Sequence, residues 1–159
     1  MKNNFVTFHS HPHSLDTAST PEAFLKREQE LGTGAITVTD HGTLSACRKI
    51  YDLAKKAGIT PILGLEGYFR DDDCPILKGA GVTSVVDYWK YAHITLHAKD
   101  QEAYDTLIKV LSRTDKNRSE RHGSERKPIF NFADLEELCS NNITLGSGCL
   151  IGIVQRHLL

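Results

Sequence analysis

Histidines stand at positions 9, 11 and 13, at the end of a short, mostly apolar and β-branched segment, Asn4 to His9. In an extended chain alternate side chains share a face, so this run sets imidazoles side by side, able to hold one metal ion or to split between two neighbouring ions. A single histidine at a strand end is ordinarily a surface or hydrogen-bonded residue. Three within five positions demand partners from elsewhere in the chain, and so demand a fold that brings separate strand ends to one rim.

The rest of the chain offers such partners in order. Ser19 to Glu22 supplies capping hydroxyls, a proline and an acid ahead of Phe24, Leu25 and Leu31 at helical spacing, with Gly32 and Gly34 as the stop. Ala35 to Thr39 reads as a buried strand that delivers Asp40, His41 and Gly42. Leu44, Cys47, Ile50, Tyr51, Ala54 and Ala57 recur at helical steps until Gly58, and a third strand, Ile59 to Tyr68, carries Glu66. Residues 70–90 show no period and read as an excursion. Ala92 to Ala98 is a fourth strand, bearing His93 and His97, followed by a helix capped by Asp100.

Residues 112–128 are polar and mildly basic without an apolar face, which reads as a loop. Asn131 then caps a short helix, and Ile143 to Leu145 form a strand before Gly146, Ser147, Gly148 and Cys149. Strands alternating with helices over short connections predict an α/β fold on a parallel sheet, open or closed into a barrel, with chemistry at the C-terminal strand ends. His9 to His13, Asp40 with His41, Glu66 and Cys149 all fall at or near such ends. His9, His11 and His13, with a carboxylate added by Asp16, and His41, Glu66 and one more histidine would make a mixed nitrogen and oxygen shell suited to Zn²⁺, Mn²⁺ or Fe²⁺, in which Glu66 could bridge two ions. Two or three ions sharing a carboxylate would suit hydrolysis of a phosphoester by an activated water.

Composition narrows the alternatives. With 159 residues, 40% apolar and 25% charged, the chain suffices for one core. No apolar run reaches the roughly 20 residues that cross a bilayer, and Met1 to Phe8 does not read as a secretory signal, so no membrane partner and a cytoplasmic location are expected. Cys47, Cys74, Cys139 and Cys149 include no CxxC pair, which speaks against a zinc ribbon and a disulfide framework. A net charge of −1 leaves any nucleic-acid contact to a local patch.

The runs FHSHPHS at 8–14, VTDHG at 38–42 and PILGLE at 61–66 resemble, in order and spacing, the first motifs of PHP (polymerase and histidinol phosphatase) domains, as found at the front of the alpha subunit of bacterial DNA polymerase III and of phage replicative polymerases. HITLHAKD at 93–100 and GSGCL at 146–150 are similar to that family's later histidine strand and its SGCL motif. The resemblance implies one PHP domain over 1–159, a distorted (β/α)7 barrel, with 70–90 and 113–127 as insertions or loops. It also implies a barrel truncated at its C-terminal end, because the family's final Asp-x-His has no counterpart before Leu159, and a chain without the polymerase palm.

Carried over by residue, the resemblance implies His11 and His13 as the HxH ligands, with Asp16, His41, Glu66 as the bridge, His93 and Cys149, around two or three divalent ions of zinc, manganese, iron or magnesium. His9 and Asp40 take supporting or catalytic roles beside them, since a ligand imidazole needs its other nitrogen fixed. Position along the strand favours His97, whereas the family pattern favours His93. The implied function is a phosphoesterase or 3′–5′ exonuclease module of a replicative polymerase, meeting DNA through the full-length polymerase and pairing with its remaining segment or a proofreading subunit. Two other functions stay open: a free-standing phosphomonoesterase of the histidinol-phosphate kind, and an inactive domain that holds metal as structure while binding a partner.

Overall fold

The computed structural model describes residues 7, 9–12, 17–70, 91–118, 120–122, 125–149 and 152. Helix α1 (Pro21–Leu31) starts where expected: Thr20 accepts the amide of Ala23 through its hydroxyl at 3.2 Å, and proline opens the first turn. Strand β1 (Ala35–His41) follows, then helix α2 (Cys47–Ala57) and strand β2 (Thr60–Phe69). Helix α2 begins three residues later than its apolar spacing suggests. Leu44 is spent in a turn whose carbonyl accepts the Cys47 amide, and its side chain packs on the core from there.

Strand β3 (Ala92–Ala98) leads into helix α3 (Gln101–Arg118). This helix runs well into the stretch expected to be a loop, and a small hairpin of β4 (Glu120–His122) and β5 (Glu125–Lys127) follows it. Two anchors explain the extension. Thr114 is fully buried and bonds back to the carbonyls of Val110 and Leu111, while Arg113 reaches Asp134 and Glu137, both at 2.8 Å. Polar residues without an apolar stripe are thus held helical by the tertiary partners of Arg113 and by the burial of Thr114. The two-residue strand β6 (Ile129–Phe130), helix α4 (Phe132–Ser140) and strand β7 (Ile143–Gly146) complete the described elements.

The sheet runs β1-β2-β3-β7, with β6 also paired to β2. Strands β1 and β2 are parallel, but β3 is antiparallel to β2 and β7 is antiparallel to β3. The all-parallel arrangement expected from the sequence is therefore corrected. A parallel return requires a crossover, usually a helix, and the 70–90 sequence has no helical period to supply one. Among the described residues the sheet is an open path and closes no barrel.

Because β3 occupies one edge of β2, β1 and β6 share the other, β1 up to Glu66 and β6 from Tyr68. The two faces differ sharply. One carries Ile36, Val38, Leu65, Phe69, Ile94 and Leu96, buried under the helices with Ile50, Leu107 and Leu138. The other carries Thr37, Thr39, His41, Glu66, Tyr68, His93, Thr95 and His97, as the paired register requires.

Candidate metal centre

Glu66 is the focus of the polar face. It is fully buried near the C-terminal end of β2, opposite His41 on one side and Thr95 on the other. Its two oxygens face different neighbours. Oε1 lies 2.6 Å from Nδ1 of His41 and 3.0 Å from Nδ1 of His93, while Oε2 lies 2.6 Å from Nε2 of His9 and 3.8 Å from Nε2 of His11. Cys149 closes the far side, its Sγ 3.4 Å from Nδ1 of His93. Burial alone would keep Glu66 protonated, but the imidazoles of His41, His9 and His93 outweigh it and hold the carboxyl far below the usual carboxylate range.

Each donor is positioned by backbone. Residues 9–12 lie along β1 through Ser10, whose carbonyl accepts the Thr39 amide at 2.9 Å and whose own amide donates to the Thr39 hydroxyl at 2.9 Å. The Ser10 hydroxyl also donates to the Thr37 carbonyl. This register directs His9 and His11 together at Glu66; a one-residue slip would turn both away. The rings of His11 and His41 stack at 4.0 Å and 14°, which fixes their planes.

Cys149 is brought in by the turn after β7. Gly148 there has φ +73°, and a side chain on it would come within 2.8 Å of the His93 carbonyl, so only glycine permits this approach. His93 reaches Glu66 because β3 is antiparallel: its first residues lie beside the last residues of β2, and His93 pairs with Tyr68. His97, paired with Gly64, is buried on the same face on the other side of Thr95 and belongs to neither triad found among the described residues.

Two triads of donor atoms result, His9 with His11 and Glu66, and Glu66 with His93 and Cys149, each with all atoms within 4.8 Å of one another. The donor set fits divalent metal. Nitrogen, carboxylate and thiolate together suit zinc and its neighbours, and Glu66 belongs to both triads as a bridging carboxylate would. Moreover, His9 Nε2 and Glu66 Oε2 are both buried and in contact, yet neither finds an aligned hydrogen bond among the described residues. A shared cation would satisfy both atoms.

Several expected residues stand elsewhere. His9, expected as a helper, stands with His11 and Glu66 in one triad of possible ligand atoms, set there by the Ser10 to Thr39 bonds. Asp40 is buried, and strand alternation puts it on the face of Ile36 and Val38, where its charge helps to raise the Cys47 thiol of α2. His13 and Asp16 lie outside the described residues. Sequence reading passed over Tyr68, whose ring stands 5.3 Å from that of His93; its place two residues beyond Glu66 on the same face was the available signal.

The PHP domain family model matches residues 7–159. DNA polymerase III subunit alpha of Helicobacter pylori (strain ATCC 700392 / 26695) is 34% identical over 162 residues, covering 99% of this chain and 12% of that protein. The corresponding subunit of Borreliella burgdorferi is 32% identical over 155 residues, covering 95% and 13%. The PolC-type DNA polymerase III of Thermotoga petrophila is 36% identical over 156 residues, covering 84% and 11%. The chain thus spans about an eighth of the length of these curated relatives. A solved structure from Bifidobacterium adolescentis, described as a metal-dependent phosphoesterase, aligns at a TM-score of 0.44 with 18% identity over 68% of this chain and 32% of its own.

Proposed function

Given that this chain belongs to the PHP domain family, we propose that it is the phosphoesterase module of a replicative DNA polymerase and hydrolyses the terminal phosphodiester at a DNA 3′ end. The observation that carries this reading is Glu66, with one oxygen turned to each donor triad. His9, His11 and Glu66 would hold one divalent ion, and Glu66, His93 and Cys149 a second, with His41 against Glu66 Oε1. Such ions, when bound, supply Lewis acidity for the phosphoryl oxygens and lower the pKa of a water.

The chain's own groups perform the remaining tasks. Glu66 stays ionised and presents a full negative charge to both sites. The His11 and His41 stack keeps the imidazole planes fixed, and the Gly148 turn keeps the Cys149 thiol facing His93. DNA would arrive through the rest of the polymerase, with the remaining polymerase segment or a proofreading subunit as the protein partner. The kinship to polymerase subunits supports that setting.

The test loads the chain with Mn²⁺ or Zn²⁺ and follows nucleotide release from a labelled single-stranded oligonucleotide, beside a phosphomonoester. Release that requires metal and falls at least about 100-fold in Glu66→Gln and His11→Ala is expected. Bound metal without turnover of either substrate would sink the proposal, and turnover of the monoester alone would move the chain to the small-molecule class.

A further inference from the structure

The basic stretch that ends at Lys127 has no task in the site described so far, yet its last lysine comes to the border of that site. The Lys127 ammonium lies over the ring of Tyr68, 4.7 Å from its centroid. Tyr68 is the next residue after Glu66 on the same face of β2, and its ring meets that of His93 edge-on at 5.3 Å and 84°. The ammonium is therefore within about 10 Å of the His93 ring.

Independent packing holds it there. Gly42 follows His41 directly and has φ +61°; a side chain on it would meet both Pro128 and the Tyr68 ring at 3.1 Å. The residue after Lys127 is thus seated against the residue after His41, itself in contact with Glu66. Tyr91 stands edge-on to Tyr68 at 6.2 Å, and the Arg70 guanidinium lies 5.6 Å from the Tyr91 ring. Two cations are thus each placed on one of two adjoining tyrosines.

We propose that Lys127, seated on Tyr68, is a substrate-positioning residue that takes the phosphate adjoining the one at the donor triads, so that the preferred substrate is a single-stranded nucleic acid and not a compound with one phosphate. The inference rests on the phosphoesterase reading above. Both the ammonium and the His93 ring adjoin the Tyr68 ring, so the charge lies within about 10 Å of a donor histidine, in reach of a neighbouring phosphate of the substrate. A cation on an aromatic face keeps its outer hemisphere for an anion, at little cost in ordering. A phosphate contact of this kind adds affinity that weakens with salt.

The experiment compares wild type with Lys127→Met, which keeps the stem over the ring and removes the charge, and with Lys127→Arg, which restores it. Binding of a fluorescein-labelled single-stranded phosphorothioate oligonucleotide is measured by anisotropy across a salt series, with metal content and Tm recorded for each protein. In Lys127→Met the affinity should fall about 10-fold, and the slope of log affinity against log salt should lessen by about 0.7, one single-strand phosphate. KM for an oligonucleotide should rise in step, KM for a phosphomonoester should stay within about 2-fold, and Lys127→Arg should recover both binding measures.

An unchanged salt slope in Lys127→Met overturns the inference, as does equal loss on both substrates. If wild type binds the strand through Lys127 but hydrolyses nothing, the catalytic reading fails and the phosphate contact stands.

Discussion

At the scale of single residues, burial does opposite things to two ionisable groups. Glu66 is buried among imidazoles and stays charged, whereas Cys47 is buried against the Gly64 carbonyl and beside Tyr104, and burial pushes its thiol up to about 11. The neutral thiol is therefore favoured by folding. Its contribution, roughly 3 kcal/mol, is fully present below the ordinary thiol range near 9 and is lost as pH rises through about 11. Alkylation at pH 8.5 should accordingly label the exposed Cys139 quickly and Cys47 only on unfolding, as mass spectrometry of the modified peptides would show; rapid labelling of Cys47 in the folded chain would contradict its burial. Residue types at the donor cluster were readable in advance, because His, Glu and Cys recur in order at several strand ends, which a solitary surface histidine does not explain. Their register was less so: the hydrogen bonds between Ser10 and Thr39, 29 positions apart, turn His9 to Glu66 beside His11, and nothing in the local sequence advertises them.

Among the elements, α4 shows how a short helix is secured. Asn131 and Asp134 form a reciprocal capping box, and Asp134 also receives Arg113 from α3. Asn131→Ala should cost about 1 kcal/mol, the usual value of a cap. Asp134→Ala should cost more, about 2 to 3 kcal/mol, because it removes the cap and takes a nearly buried partner from Arg113. Urea denaturation would rank the two, and equal midpoints would refute the coupling of α3 to α4. The apolar spacing of α1, α2 and β1 was legible because local pattern and tertiary burial agree there. Helix α3 beyond Leu111 was not, since its order comes from Arg113 and Thr114, whose partners are tertiary or internal to a helix that the polar sequence does not advertise. Strand direction was equally hidden, being a property of connections and not of the strand's own residues.

On the scale of the whole molecule, a face of buried threonines and a buried carboxylate, ringed by half-buried histidines, must be satisfied or it opposes folding. Added Zn²⁺ or Mn²⁺ should therefore raise Tm, by a stabilisation near 4 kcal/mol when free metal exceeds Kd about 1,000-fold, and a chelator should reverse it. Glu66→Gln should show little of this rise in a thermal scan; a full rise in that variant would place the ions elsewhere. All four described helices pack behind the sheet, against Ile36, Leu65 and Leu96, while the donors project in front. The sheet is thus a bulkhead between two compartments under different rules. Repacking the rear with aliphatic side chains of similar volume should alter how much heat the chain withstands and leave its taste in metals alone, so the rear wall can drift in composition while the front is held to a handful of atoms.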